Sequence, residues 1–133
     1  MIQQDSVRGD RSRTHQPKVE GMRLHALDAW VRRTSVLTDA EELRAILYAG
    51  ADAGGATVLG EEFCVFPNGA VTGVLVLAQS HLSIHTWPEF ALANVDLLSY
   101  GDLRGDAVLR EICERLDVER ANVTSIERAL GSG

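Results

Sequence analysis

The sequence has little of what would mark a secreted, membrane-bound or nucleic-acid-binding protein. It has two cysteines, Cys64 and Cys113. That is too few for a disulfide scaffold, and their spacing is not that of a zinc site. Both read as reduced, buried thiols of a cytoplasmic protein. Basic residues are outnumbered, 13 Lys+Arg against 19 Asp+Glu, for a formal net charge of −6. Nucleic-acid binders normally need a basic patch, so that partner class is excluded, while a cationic small molecule is compatible. No run approaches the roughly 18 apolar residues that span a bilayer, and the N-terminus lacks the apolar stretch of a signal peptide. Internal repeats and low-complexity tracts are also absent. The expectation is a cytoplasmic protein that engages neither membrane nor nucleic acid.

What remains is an ordinary globular composition: 133 residues, 45% apolar, 24% charged. This suits one domain with one core. Residues Met1 to Gly21 are polar and without periodicity, and read as a flexible tail; residues 22–133 form the domain. Leu24 to Val31 suggests a strand. Thr38-Asp-Ala-Glu41 has the form of a capping box before a helix carrying Leu43, Ile46, Leu47 and Ala51, which Gly54-Gly55 ends. Thr57–Leu59 leads into Phe63–Phe66, and Pro67-Asn68-Gly69 is a turn. Ala70 to Ala78 is nearly all apolar, as in a strand covered on both faces or deep in a sheet. His81–Trp87 and Ala93–Tyr100 alternate. Val108, Leu109, Ile112, Cys113 and Leu116 share a helical face, and Asn122–Ile126 is a last strand. The order predicts an α+β two-layer sandwich, an antiparallel sheet backed by two helices.

The segment richest in chemistry is Gln79-Ser80-His81-Leu82-Ser83-Ile84-His85-Thr86-Trp87-Pro88-Glu89. On a strand, Leu82 and Ile84 share one face, and His81, Ser83, His85 and Trp87 the other. Such a face suits the polar wall of a pocket; an exposed edge strand gives the same pattern. His81 and His85 have no obvious acidic or cysteine partner, so no metal site is expected.

Ser80-His-Leu-Ser-Ile-His-Thr-Trp-Pro-Glu89 resembles the self-processing segment of bacterial S-adenosylmethionine decarboxylase proenzymes. The resemblance runs from about Leu24 to Arg128. It takes in Gly55–Leu59, Val71-Thr72-Gly73 and Asp96-Leu97. It implies that the Ser80 hydroxyl attacks the Gln79 carbonyl, turning the peptide into an ester. Elimination and hydrolysis would then leave a pyruvoyl group at position 80 as the covalent cofactor. That group would form a Schiff base with a substrate amine and accept the electrons released with carbon dioxide, as pyridoxal phosphate does.

By position, the resemblance implies that His85 moves protons during processing and that Thr72 assists it. Glu89 would hold the substrate ribose and Phe66 would pack on its adenine. It implies a decarboxylase supplying the aminopropyl donor of spermidine synthesis. It also implies a homodimer of cleaved protomers with pyruvoyl sites near the subunit interface.

Two residues depart from the family pattern. Gln79 stands where the family usually has Glu, and Tyr100 where it has the cysteine that protonates the decarboxylated carbon. A phenol has a reference pKa of about 10 against about 8.5 for a thiol, and it takes more room. Cys64, two residues before Phe66, is a substitute donor by strand parity. Two alternatives stay open: a pyruvoyl-dependent decarboxylase of ornithine or arginine, and a non-catalytic homologue acting as a binding or regulatory partner.

Overall fold

A computed structural model describes residues 21–129 and residue 131; residues 1–20 of the expected tail lie outside them. The strands are β1 (Arg23–Val31), β2 (Val58–Val65), β3 (Val71–Leu77), β4 (His81–Trp87), β5 (Leu92–Ser99) and β6 (Val118–Glu127). The helices are α1 (Ala40–Ala53) and α2 (Gly105–Leu116). The strands form one sheet in the order β2-β3-β4-β5-β1-β6, antiparallel at every junction. Both helices pack on one face. The chain is thus the expected α+β sandwich.

Helix α1 buries Leu43, Ile46, Leu47, Gly50 and Ala51, and α2 buries Val108, Leu109, Ile112 and Leu116. Steps of three and four put each set on one helical stripe. The helices meet at Gly50, where a Cβ would lie 2.7 Å from Ile112 Cγ1. The start of α1 differs from the capping box read in the sequence. Val36 and Leu37 are buried and draw Thr34–Thr38 into a 3-10 turn, in which the Thr38 hydroxyl donates to the Ser35 carbonyl. Asp39 becomes the N-cap instead, accepting from the Glu42 amide at 3.1 Å.

The covered face of the sheet carries Leu27, Ala29, Leu75, Leu82, Ile84, Val95 and Leu97, none more than 1% exposed. Each large side chain among them contributes about 1.5–3 kcal/mol by leaving water. Phe63 lies across Gly73, where a Cβ would fall 2.1 Å from the ring. Strand β3 is covered on one face only: its alternate residues Thr72 and Val74 are half-buried and Val76 is 48% exposed. The apolar run in the sequence is therefore one core face plus one uncovered apolar face.

Among the described residues, the polar side chains of Thr86, His25 and Ser99 are buried on the covered side. Thr86 donates to the Leu37 carbonyl at 2.7 Å and accepts from the Val71 amide at 2.9 Å. His25 lies between the hydroxyls of Ser99 (3.1 Å) and Ser125 (2.9 Å). Burial, and then the charge of Arg23, hold the His25 pKa below the ordinary histidine value, with Asp106 pulling weakly the other way.

Candidate active site

Strands β3 and β4 form a hairpin arm. Leu77 and Ser80 exchange backbone hydrogen bonds (2.9 and 3.2 Å), leaving Ala78 and Gln79 as a two-residue loop. The Ala78 amide ties that loop to the Thr57 carbonyl at 2.8 Å. Gln79-Ser80 is thus the junction between the loop and β4. The Ser80 hydroxyl donates to the Leu98 carbonyl of β5. His81 pairs with Leu98, so continuing the register sets Ser99 and Tyr100 beside Ser80 and Gln79. The Gln79 side-chain oxygen is buried without a hydrogen-bond partner among the described residues. A carboxylate in that place would bury a charge with no donor, which is a physical reason for the neutral amide in this chain.

The other predicted residues stand at the far end of the arm. Thr72 and His85 are register partners, and Thr72 Oγ1 lies 2.6 Å from His85 Nδ1. The imidazole is flanked edge-on by Phe66 (centroids 5.9 Å) and Trp87 (4.5 Å). Glu89 follows in the exposed 3-10 turn Pro88–Phe90. Cys64 pairs with Thr72 across β2 and β3 and is exposed.

The predicted residues therefore fall into two groups. Gln79, Ser80 and Tyr100 lie at one end of the sheet; Phe66, Thr72, His85 and Glu89 lie at the other. Five residues of strand separate Ser80 from His85, roughly 17 Å. Parity separates them too: His85 is on the uncovered face with His81, Ser83 and Trp87, whereas Ser80 reaches sideways to the β5 backbone.

A row of polar side chains crosses the uncovered face in register: Cys64, Thr72, His85, Asn94, Asp28 and Asn122. Within it, Trp87 Nε1 donates to Asn94 Oδ1 at 2.6 Å and Asn94 Nδ2 donates to Asp28 Oδ1 at 2.8 Å. Sequence reading does not single out Asn94 or Asp28. The available signal is Asn94 itself, an amide in mid-strand where such residues are disfavoured.

The family model described as S-adenosylmethionine decarboxylase matches residues 23–129. An S-adenosylmethionine decarboxylase proenzyme of Pseudomonas paraeruginosa is 43% identical over 77 residues, 57% of this chain and 48% of that protein. The chain thus spans about half the length of that curated relative. A proenzyme of the same name from Methanococcus maripaludis is 33% identical over 105 residues, 78% of this chain and 86% of that protein. The crystal structure of the adenosylmethionine decarboxylase from Aquifex aeolicus VF5 has the same fold. Its TM-score is 0.75 at 28% identity, over 85% of this chain and 95% of that one.

Proposed function

The chain belongs to the S-adenosylmethionine decarboxylase family, and on that premise we propose that it is a self-processing proenzyme. It cuts its backbone between Gln79 and Ser80, and with the resulting pyruvoyl group it decarboxylates S-adenosylmethionine. The observation that carries this reading is the Thr72–His85 pair at 2.6 Å on the uncovered face of the arm that begins at Ser80.

Processing uses atoms of the chain and one water. Ser80 Oγ bonds to the Gln79 carbonyl carbon, the peptide C–N bond breaks, and the hydroxyl proton ends on the freed nitrogen. Loss of the Ser80 α-proton then expels the Gln79 carboxylate. Water replaces the nitrogen of the dehydroalanine, and ammonia leaves. His85 is the group to carry these protons, since an imidazole ring can accept a proton at one nitrogen and donate one from the other. Thr72 holds its Nδ1, so Nε2 is the nitrogen left to work. A ketone at position 80 fits its surroundings: the site is half-buried, and the neighbouring Leu98, Ser99 and Tyr100 are uncharged. When formed, the pyruvoyl group supplies the electron sink for loss of carbon dioxide. In this reading Tyr100, which follows the Ser99 that faces position 80, is the proton donor; Phe66 offers a ring for the adenine, and Glu89 a carboxylate for the ribose hydroxyls.

Roughly 17 Å is too far for His85 to serve Ser80 of its own chain in one hydrogen-bonded site. A second copy packed on the uncovered face supplies the missing half under two-fold symmetry. The exposed apolar side chains Val76 (48%) and Ile126 (49%) on that face support such a homodimer.

The test is the intact mass of the purified protein under denaturing conditions, beside Ser80→Ala. Fragments Met1–Gln79 and Ser80–Gly133, the latter with a pyruvoyl end, are expected from the wild type and a single chain from the variant. An uncut wild type removes the electron sink and leaves the non-catalytic partner as the reading. Tyr100 favours a second substrate reading, because its ring takes up room where a thiol would leave it. Carbon dioxide release from S-adenosylmethionine, ornithine and arginine by the cleaved protein separates the two.

A further inference from the structure

The row across the uncovered face contains a device beyond the processing residues, and its role rests on the self-processing reading above. We propose that Asn94, oriented by Asp28, is a positioning residue for His85, acting through Trp87. Asp28 Oδ1 accepts from Asn94 Nδ2 at 2.8 Å. A carboxylate only accepts, so this bond fixes which end of the Asn94 amide faces away from it. Oδ1 is thereby presented to Trp87, whose Nε1 is only a donor and lies 2.6 Å away. The indole is thus anchored at its polar edge, and its ring meets the imidazole at 4.5 Å and 68°.

Trp87 and His85 are two residues apart on the same strand face, where side chains stand side by side. Phe66 also meets the ring edge-on, at 5.9 Å, and Thr72 holds Nδ1. Each constraint acts on a different part of the ring: Thr72 sets its hydrogen-bonded edge, while Trp87 and Phe66 set its tilt. Trp87 is itself held by a relay, which spans three strands, β4, β5 and β1. Trp87 is 38% exposed, and without the Asn94 bond the polar edge of its indole would be free to turn. The imidazole would then sample other rotamers, and Nε2 would spend less time aimed at the bond it serves.

The test measures the self-cleavage rate of the full chain by intact mass, with Tm as a control for folding. Asn94→Asp sets two carboxylates together and removes the donor to Asp28. Asn94→Leu removes both bonds with little change of volume. Both are expected to cleave at least about 10-fold more slowly, within the range that misplacing a catalytic group can cost, with Tm lowered by a few degrees and the chain still folded at the assay temperature. The double exchange, Asp28→Asn with Asn94→Asp, rebuilds the relay in reverse. The amide then stands on β1 and donates, while the carboxylate stands on β5 and accepts from both that amide and the Trp87 indole. This exchange is expected to restore the rate to within about 2-fold, as a coupled pair should. Wild-type cleavage by Asn94→Leu, or an exchange slower than the Asn94→Asp variant, would overturn the positioning role alone. An uncut wild type would overturn the processing reading and the positioning role with it.

Discussion

The two faces of the sheet are built from the same strands and the same alternation, yet they differ in what they hold. The covered face of β4 carries Leu82, Ile84 and Thr86, all at most 1% exposed. The uncovered face of the same strand carries His81, Ser83, His85 and Trp87. Polar groups on the covered side are few and satisfied: both bonds of Thr86 and both ring nitrogens of His25 close within the fold. On the uncovered side a polar row crosses all six strands and ends in solvent. One face supplies stability and the other chemistry, so substitutions one residue apart along β4 should fail in different ways.

The sharpest break of that comparison is His85→Ala. It should slow self-cleavage by about 10²- to 10⁴-fold, the usual contribution of a positioned acid–base group, with the thermal midpoint nearly unchanged. Its covered neighbour behaves oppositely. Ile84→Ala should cost about 2–5 kcal/mol in denaturant unfolding, because the cavity left between sheet and helices cannot fully collapse. Cleavage of the fraction that stays folded should continue.

Thr86→Val is a smaller change in the same region. It keeps the shape but leaves the Leu37 carbonyl and the Val71 amide without their partner, and should cost about 1–3 kcal/mol in the same measurement. The smallest effect is the pH response of His25. Its folded pKa is lowered from 6.5 by burial and Arg23, so below that value the unfolded chain binds a proton the folded chain resists. Stability should therefore be intact above pH 6.5 and decline as the pH falls from there towards the folded pKa. His25→Gln should flatten the slope of Tm against pH in that window.

Much of this is legible in the residues. Alternation in His81–Trp87 gives both faces of β4, and the stripes of Leu43–Ala51 and Val108–Leu116 give both helices. The ten residues from Ser80 to Glu89 carry the family. The separation of Ser80 from His85 is hidden because a contiguous motif reads as a contiguous site, although an extended strand carries its ends far apart. Asn94 and Asp28 stay hidden for another reason. They lie 66 residues apart, and only the pairing of β1 with β5 sets them side by side. The capping-box pattern at Thr38 misplaces the start of α1, because burial of Val36 and Leu37 moves it to Asp39. That is a tertiary effect no local pattern contains.

The central claim is that the two half-sites act from different copies of the chain. Co-expression of Ser80→Ala with a mass-tagged His85→Ala chain tests it most directly. Each variant alone should remain uncut. Together, a mixed dimer joins the intact Ser80 of one chain to the intact His85 of the other, so about half of the His85→Ala chains should be cleaved after Gln79 under random pairing. Cleavage of that chain at this level is the predicted result. Its complete absence, with mixed dimers demonstrably present, would contradict the account.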